Sequence, residues 1–209
     1  MTFSILAVAV ISYLLGSLPT GFIAGRIAGV DVRRHGSGNI GATNVLRLLG
    51  KRYGYAVFFF DALKGFLAVS LAISFALHFE PMRMYSDWFG ILAALFCVLG
   101  HSFPVWLKFK GGKGVATSAG AMLGLAPIAT IIAVVVWIIV FEITRYVSVA
   151  SVSGAVALPT AIGILLKLHV VNSVVIFYFA IVLATVVCWR HRSNFARLVR
   201  GTEQRFTRR

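Results

Sequence analysis

The feature that most constrains this chain is residues 115–141, an unbroken stretch of 27 residues without a charged side chain. Other long, mainly apolar runs lie at residues 3–25, 53–79, 88–105, 147–166 and 171–189. Only 12% of the residues are charged and the mean hydropathy is +0.92, whereas a water-soluble domain carries about 25% charged residues. Because about 20 apolar residues suffice for one membrane-spanning helix, the sequence predicts an all-α integral membrane protein.

The distribution of basic residues predicts the topology. Six Lys or Arg residues lie in residues 26–52 (loop one), three in residues 101–113, and seven in residues 190–209. Loops rich in Lys and Arg stay on the cytoplasmic side. All three segments share that side only if residues 115–141 cross the membrane twice or form a re-entrant pair, with a break near residues 124–127. We therefore expect a single polytopic domain over residues 1–209, with seven transmembrane helices, some of them short, the N-terminus outside and the C-terminus in the cytoplasm.

The net charge of +14 limits the kinds of partner. Nucleic-acid binding is disfavoured, because the basic residues lie in short loops between spans and build no basic domain. They favour contact with anionic lipid headgroups, worth about 1 kcal/mol per basic residue near the surface, or a bound phosphate. Cys97 and Cys188 lie in apolar runs and are expected to pack there. The five histidines are scattered and form no HExxH pattern, so neither a metal nor a cofactor is expected.

Residues 101–117 (loop two, HSFPVWLKFKGGKGVAT) interrupt the apolar runs with glycine and lysine. The N–H groups of Gly111 and Gly112, flanked by Lys110 and Lys113, suit a phosphate. Lys113 is followed by glycine, not by the Ser or Thr of a nucleotide-binding P-loop, so nucleotide hydrolysis is unsupported. The alternative is that the lysines only anchor the loop at the cytoplasmic face.

His101 opens loop two and is a candidate general base or hydrogen-bond donor to phosphate. The alternative is a histidine at a helix end that backbone groups satisfy. Thr117 is expected in the first turn of the following helix, whose N-terminus favours an anion.

Loop one contains a second glycine-rich stretch, GSGNIGATN at residues 36–44. The candidate ligands in this loop are Ser37, Gly38, Asn39 and Arg47. Closely spaced glycines let backbone N–H groups approach a ligand, and an arginine offers a phosphate two parallel donors. The alternative is a flexible loop followed by an amphipathic helix, capped by Thr43 or Asn44.

Two further polar segments complete the candidates. Ser148 and Ser151 are three residues apart and share one helical face, although such serines also allow close helix packing in membranes. His191, Asn194 and Arg197 recur at the same spacing in the basic C-terminal segment. They form either part of a ligand site or a solvated anchor helix.

Two charges lie inside the second apolar run. Asp61 and Lys64 are three residues apart, so they can pair on one face of a helix. Charges within a span indicate a functional site, but a mutually neutralising structural ion pair is the favoured interpretation. The six acidic residues form no pair at a spacing suited to acid–base catalysis, and neither a GxSxG nor a His-x4-Asp pattern occurs.

Three segments, in this order, resemble the signature segments of the bacterial acylphosphate:glycerol-3-phosphate acyltransferase (PlsY) family: GSGNIGATNVLR at 36–47, GHSFPVWLKFKGGKGVAT at 100–117 and HRSNFARLVRGTE at 191–203. Residues 58–65 (FFFDALKG) and 145–151 (RYVSVAS) are similar to the family as well. The resemblance extends along nearly the whole chain, and three long motifs in order are highly specific.

The resemblance implies a seven-span enzyme that transfers a fatty acyl group from acyl phosphate to the sn-1 hydroxyl of glycerol 3-phosphate. The products would be 1-acyl-glycerol 3-phosphate (lysophosphatidate) and inorganic phosphate, in the first step of phospholipid biosynthesis. It also implies a multi-pass protein of the bacterial inner membrane, an active site facing the cytoplasm, and a functional link to an enzyme that forms acyl phosphate.

Roles for individual residues follow from the loops and the resemblance together. The expected ligands of the acyl-phosphate phosphoryl group are Lys110, Gly111, Gly112 and Lys113. The resemblance implies four ligands of glycerol 3-phosphate: Ser37, Arg47, Ser148 and Asn194. Either His101 or His191 is expected to orient the attacking hydroxyl or a phosphate oxygen. A substrate phosphate is the candidate base, since no carboxylate dyad is present.

Three other interpretations remain. A transporter of an organic phosphate would also need basic loops and charges within the membrane. A non-catalytic scaffold would bind anionic lipid without turnover. An acyltransferase with a thioester donor is disfavoured because the His-x4-Asp pattern of such enzymes is missing.

Overall fold

The computed structural model describes residues 1–206, and the regular structure of that part of the chain is entirely helical. Eleven α-helices follow one another there: α1 (Thr2–Ser17), α2 (Thr20–Ile27), α3 (Ala42–Leu49), α4 (Lys51–His78), α5 (Glu80–Arg83), α6 (Ser86–Ser102), α7 (Val115–Leu125), α8 (Pro127–Thr144), α9 (Val147–Lys167), α10 (Val174–Arg190) and α11 (Arg192–Val199). Short 3-10 turns lie at Val32–Arg34 and Val105–Leu107. Arg208 and Arg209, the last arginines of the basic C-terminal segment, lie outside the described residues. The predicted all-α class is confirmed.

Several helical segments are long and apolar enough to cross a membrane. Five segments meet this description: Thr2–Ile27, Lys51–His78, Ser86–Leu107, Pro127–Thr144 and Val147–Lys167. α10 and α11, which meet at a bend of 48°, add a sixth if they form one span. α7 has 11 residues, fewer than the roughly 17 that a straight crossing needs. Large apolar side chains of α8, such as Ile131 and Ile138, are exposed, as expected of a surface that faces lipid.

The uncharged run 115–141 breaks where the sequence predicts. α7 ends at Leu125 and α8 begins at Pro127. Pro127 lies in the first turn of α8, where the N–H that proline lacks would have no partner within the helix. In the middle of a longer helix the same residue would remove a hydrogen bond and clash with the preceding turn.

The first predicted span, residues 3–25, lies within the apolar segment Thr2–Ile27, which is built from two helices. α1 ends at Ser17 and α2 begins at Thr20, with Pro19 between them. Proline lacks an N–H and disfavours the helical conformation of the residue before it, so the helix breaks. The break leaves the carbonyl oxygen of Leu18 available, and Lys64 Nζ donates a 3.0 Å hydrogen bond to it.

The chain divides into two compact units, Met1–Leu125 and Ala126–Arg209. In the first unit, α1 packs on α6, while α4 packs on α3, α6 and α7. Glycines permit two of these close approaches: a side chain at Gly16 would collide with the backbone of α6, and one at Gly120 with the backbone of α4. Small residues let membrane helices approach closely, and here they bring α1 close to α6 and α7 close to α4.

In the second unit, α9 packs on α8 and on α10. The residues after α11 return to the turn between α8 and α9. The N–H of Phe206 donates to the carbonyl of Arg145 at 3.0 Å, and Arg205 Nε donates to the carbonyl of Thr144 at 3.2 Å. The C-terminal segment is thereby fixed beside the start of α9.

Candidate functional site

Loop one is folded around the side chain of Asn44, which is 2% exposed. Its Nδ2 donates to the carbonyl oxygens of Val32 (3.0 Å), His35 (3.2 Å) and Asn39 (2.9 Å). Its Oδ1 accepts a 3.0 Å hydrogen bond from the N–H of Ser37. One buried amide therefore sets the path of the glycine-rich stretch, which is a folded turn and not an unstructured linker.

The helix that follows this turn is not capped as the alternative interpretation expected. α3 begins at Ala42 and its N-cap is Gly41, which has no side chain to offer. Capping by Thr43 or Asn44 is therefore wrong, because both residues lie inside the helix.

The candidate ligands of loop one lie at or near the surface of the turn. Ser37 and Gly38 are exposed, whereas Asn39 and Arg47 are half-buried. Gly38 has a φ of 69°, in the left-handed region that glycine adopts without strain. Arg47 lies in the last turn of α3. The turn thus presents the Ser37 hydroxyl and the Gly38 backbone to solvent, where a ligand can reach them.

Loop two folds back on the C-terminal end of α6, where its N–H groups bond to the last carbonyl groups of the helix. The N–H of Gly111 donates to the carbonyl of Ser102, and the N–H of Gly112 donates to the carbonyl of His101, each at 3.1 Å. A side chain at Gly111 would collide with the His101 carbonyl, and one at Gly112 with Nε2 of the His101 imidazole. The two N–H groups that the sequence assigned to a phosphate thus already donate to α6, and the glycines are needed for the close approach.

The lysines of loop two lie on either side of this contact. Lys110 is exposed, and Lys113 is half-buried just before the start of α7. Lys108 and Phe109 have φ values of 52° and 61°. A left-handed backbone costs a non-glycine residue about 1–3 kcal/mol, so the loop holds a strained turn immediately before Lys110.

A shared apolar cluster brings loops one and two together. Leu107 of loop two is buried in the same cluster as Val32, Ile40 and Val45 of loop one, with Val57 of α4. Within the first unit, the two glycine-rich segments are therefore neighbours.

Three polar side chains meet Oδ1 of Asp61. Lys64 Nζ lies 2.7 Å from this oxygen, Thr20 Oγ1 donates to it at 2.7 Å, and Nδ1 of His101 lies 3.4 Å from it. The Asp61, Lys64 and His101 side chains are 2%, 4% and 5% exposed. The expected Asp61–Lys64 ion pair is present, and it lies against the candidate catalytic histidine of loop two.

The start of α7 contributes two buried hydroxyl groups. Thr117 lies in the first turn of α7, as the sequence predicts. Thr117 Oγ1 and Ser118 Oγ are buried and have no hydrogen-bond partner among the described residues. Both follow Lys113 closely in the chain, so two buried hydroxyl groups without a partner among residues 1–206 lie at the end of loop two.

In the second unit, two of the predicted ligands, Ser148 and Asn194, contact the carboxylate of Glu203. Its Oε1 accepts hydrogen bonds from Ser148 Oγ (3.1 Å) and Asn194 Nδ2 (2.6 Å), and its Oε2 accepts one from Arg197 Nε (2.8 Å). Burial raises the pKa of the Glu203 carboxyl, but the hydrogen bonds from Asn194, Arg197 and Ser148 outweigh it and hold that pKa below its ordinary value. Because Ser148 donates its only hydroxyl hydrogen to Glu203, it can meet a ligand only as an acceptor.

His191 lies at the junction of α10 and α11 and is 3% exposed. Its Nδ1 lies 2.8 Å from the carbonyl oxygen of Val187. A carbonyl oxygen can only accept, so Nδ1 carries the hydrogen in this contact. Asn194 and Arg197 lie in α11, as their spacing predicts.

Two side chains and one contact in these arrangements were not predicted from the sequence. Glu203 was not among the predicted ligands, although an acidic residue among the arginines of a +14 chain is a signal. Thr20 directly follows the proline that breaks the first span. The contact between Asp61 and His101 joins two helices and leaves no trace in sequence spacing. Among the described residues, no three His, Cys, Asp or Glu side chains lie close enough to hold a metal ion.

Comparison with known proteins places this arrangement in a family. The family model described as Glycerol-3-phosphate acyltransferase matches residues 6–201. The glycerol-3-phosphate acyltransferase of Trichlorobacter lovleyi is 44% identical over 195 residues, which cover 93% of this chain and 94% of the relative. That of Synechococcus elongatus is 42% identical over 212 aligned residues and covers 100% of this chain and 98% of the relative.

Solved structures are similar along the same length. The crystal structure of PlsY (YgiH), an integral membrane glycerol 3-phosphate acyltransferase, in its glycerol 3-phosphate form has 38% sequence identity and a TM-score of 0.85, covering 98% of this chain and 96% of that chain. Its lysophosphatidic acid form has a TM-score of 0.83 at the same identity and coverage. This chain therefore belongs to the glycerol-3-phosphate acyltransferase family.

Proposed function

We propose that this chain transfers a fatty acyl group from acyl phosphate to the sn-1 hydroxyl of glycerol 3-phosphate, releasing 1-acyl-glycerol 3-phosphate and inorganic phosphate. The observation that carries the proposal is the similarity, over 98% of the chain, to PlsY in its glycerol 3-phosphate and lysophosphatidic acid forms. These two molecules are the acceptor and the product of such a transfer. Membership of this family disfavours a transporter of an organic phosphate.

The proposed donor is acyl phosphate. A mixed anhydride of this kind already contains a good leaving group, so positioning and charge stabilisation can provide most of the rate acceleration. In loop two, Lys110 and Lys113 are assigned to the phosphoryl group, and Gly111 and Gly112 shape the turn that carries them. The two N–H groups of these glycines donate to carbonyl oxygens of α6. The phosphoryl group would therefore be held mainly by the lysine charges.

The proposed acceptor is glycerol 3-phosphate. Its assigned ligands are Ser37, Gly38, Asn39 and Arg47 in loop one, and Ser148 and Asn194 in the second unit. Arg47 would supply the bidentate phosphate contact. The orientation of the second-unit ligands by Glu203 supports their assignment. His101 or His191 would orient the attacking hydroxyl or a phosphate oxygen.

The proposed setting is the inner membrane of a bacterium, with the active site facing the cytoplasm. Residues 1–209 would form one polytopic domain of seven spans, with α7 and α8 as separate crossings, the N-terminus outside and the C-terminus inside. The family match across residues 6–201 includes both compact units and supports a single functional domain. The acyl phosphate would come from a separate enzyme that forms it.

One experiment separates the candidate functions. The purified protein is given glycerol 3-phosphate with acyl phosphate or with acyl-CoA, and phosphate release and lysophosphatidate formation are measured. We expect both products with acyl phosphate and none with acyl-CoA. Absence of phosphate release with acyl phosphate would overturn the proposal, and lysophosphatidate from acyl-CoA would indicate a thioester donor. Glycerol 3-phosphate that crosses sealed vesicles unchanged would indicate a transporter, and binding without turnover a scaffold.

A further inference from the structure

We propose that a groove between α9 and α10 binds one anionic phospholipid, with an acyl chain along the groove and the headgroup at Lys167. Lys167 is the last residue of α9, whereas Ser148 lies at the start of that helix and His191 follows the end of α10. The lipid site is therefore at the opposite end of the second unit from the proposed substrate ligands. The inference depends on the chain lying in a membrane and not on the proposed acyl transfer.

The groove consists of two adjoining hollows on the second unit, with volumes of about 450 and 480 Å³. Pro159 and Thr160 of α9 and Phe177 of α10 line both hollows, so the groove is continuous. One hollow extends to Cys188 and the other to Lys167. At 1.5 Å per residue, α9 from Pro159 to Lys167 is about 12 Å long. One lipid leaflet is of similar depth, because it is half of a hydrocarbon core that is roughly 30 Å thick.

The lining of the groove suits a hydrocarbon chain. Thr160 Oγ1 donates to the carbonyl oxygen of Val156, and Thr185 Oγ1 donates to that of Ile181, each at 2.9 Å. Each hydroxyl hydrogen is thus used within its own helix, so neither threonine has a hydrogen to donate to a ligand in the groove. Gly163 also lines the groove and has no side chain to fill it. The groove therefore offers space and few polar groups.

The charge of Lys167 selects the headgroup. It is the only lysine in the sequence of the second unit. The two acidic residues of that unit, Glu142 and Glu203, pair with arginines near the other end of the helices. Lys167 is exposed and forms no ion pair among residues 1–206. Its charge is therefore available to an anion outside the protein, and basic groups beside membrane helices bind anionic headgroups.

Tyr178 supports the same placement of the headgroup. It lines the hollow that contains Lys167, and its side chain is 62% exposed. Tyrosine is enriched at the level of the headgroups, because its ring is apolar and its hydroxyl is polar. The Lys167 end of the groove thus has the residues of a membrane–water interface. In the proposed topology this is the outer leaflet.

Two other occupants fit the groove less well. The acyl chain of a substrate would enter from the end where Ser148 and Asn194 lie, and it would leave Lys167 without an anion. A symmetric dimer packed through the groove would bring two like charges together at Lys167. A phospholipid with a net negative headgroup satisfies both the apolar lining and the charge.

The test uses a photoreactive side chain that captures whatever occupies the groove. Ile164 lines the hollow beside Lys167 and is 55% exposed, and it is replaced by benzoylphenylalanine. The same replacement at Val182, which is 56% exposed on α10 and does not line the groove, is the matched control. The full chain is placed in phosphatidylcholine vesicles with a minority of phosphatidylglycerol. Lipids captured on illumination are then identified by mass spectrometry.

We expect the groove to capture more phosphatidylglycerol than its share of the bilayer. The expected excess at position 164 is about 5-fold, which corresponds to about 1 kcal/mol per basic residue near the membrane surface. Capture at position 182 should match the composition of the bilayer. Thr160→Phe, which places a ring where the two hollows join, should lower the total lipid captured at position 164.

Variants of Lys167 assign the excess to its charge. Lys167→Gln should return capture at position 164 to the composition of the bilayer, whereas Lys167→Arg should keep the excess. Arg83→Gln is the control and should also keep it. In the proposed topology Arg83 lies on the same side of the membrane, and its side chain is exposed and pairs with Glu80.

Three results would overturn the inference. The first is capture at position 164 that matches the bilayer in the unmodified chain, and the second is an excess that persists in Lys167→Gln. The third is capture of a second protein chain in place of phospholipid, or of acyl phosphate when it is added to the vesicles, since either would identify a rival occupant. The test measures no turnover, so a failure of the proposed acyl transfer would leave its result unchanged.

Discussion

Nδ2 of Asn194 donates a 2.6 Å hydrogen bond to Oε1 of Glu203, which joins α11 to the segment that follows it. The same carboxylate also accepts hydrogen bonds from Ser148 in α9 and Arg197 in α11. Three parts of the second unit thus depend on one carboxylate whose side chain is 6% exposed. Glu203 therefore positions the predicted ligands Ser148 and Asn194.

Replacing Glu203 by glutamine is expected to destabilise the second unit. The change keeps the shape of the side chain but removes the charge from three hydrogen bonds, and bonds to charged groups contribute about 1.5–3 kcal/mol each. We expect a lower midpoint of thermal unfolding at neutral pH. Glu142→Gln is the matched control, because the Glu142 side chain is 52% exposed and pairs with Arg145, and such pairs contribute only about 0–1 kcal/mol.

The effect of Glu203 should depend on pH in a defined direction. Its folded-state pKa lies below the ordinary value, so its stabilisation is fully present above the unfolded pKa of about 4.3. It is lost as the pH falls through the lower, folded-state pKa. The difference in thermal midpoint between the unmodified protein and Glu203→Gln should therefore be constant from neutral pH to about pH 5 and shrink at more acidic pH. A difference that grew on acidification would contradict this role.

Much of this arrangement could be predicted from the sequence, because local patterns report local structure. The uncharged run 115–141 and its Pro127 predict a helix pair broken near that residue, and the structure has it. The glycine-rich loops were also identified, because glycine and basic residues are rare inside spans. Asp61 and His101 could not be paired in this way, since their contact depends on the packing of α4 against α6. The hydrogen bond from the Gly111 N–H to the end of α6 could not be predicted either, because it also depends on how distant parts of the chain pack.

Loss of either proposed phosphate-binding charge should abolish most turnover. Lys113→Ala removes a cation of loop two, and Arg47→Ala removes the proposed bidentate donor of loop one. Removing one group that stabilises transition-state charge, as Lys113 is proposed to do, typically costs about 100- to 1,000-fold in kcat. Arg47 is proposed to bind the acceptor phosphate, so its loss of turnover should appear mainly as a higher KM for glycerol 3-phosphate. The measurement is phosphate release from acyl phosphate by variants that are shown to insert in the membrane.

Neighbouring basic residues provide controls for these two variants. Lys51 and Arg52 are exposed at the start of α4 and have no proposed ligand. Lys51→Ala and Arg52→Ala should keep near-normal turnover if the role of Lys113 and Arg47 is specific. Equal losses in all four variants would show that loop charge in general, and not this site, is what matters.

The two glycines of loop two should respond differently to alanine. A Cβ at Gly112 would collide with Nε2 of His101, whereas a Cβ at Gly111 would collide with the His101 carbonyl and with Pro104. Gly112→Ala should mainly lower kcat, because it displaces the imidazole. Gly111→Ala should mainly lower stability, by about 1–3 kcal/mol, because the backbone must move. Gly163→Ala, which meets only the Phe177 ring at 3.2 Å, is the control, and turnover and thermal unfolding are measured for all three.

The topology of α7 and α8 can be tested with one cysteine placed before α7 and another placed after α8. In a variant lacking Cys97 and Cys188, Lys108→Cys and Arg145→Cys are labelled in sealed vesicles of known orientation with a thiol reagent that cannot cross the membrane. Because basic loops stay in the cytoplasm, we expect both positions to react only from the cytoplasmic side, as they must if 115–141 makes an even number of crossings. α7 has only 11 residues, about 16 Å of helix at 1.5 Å per residue, so it crosses only where the bilayer is thinned or the flanking loops enter it. Reaction of the two cysteines from opposite sides would show that α7 and α8 together cross the membrane once, and would overturn the seven-span topology.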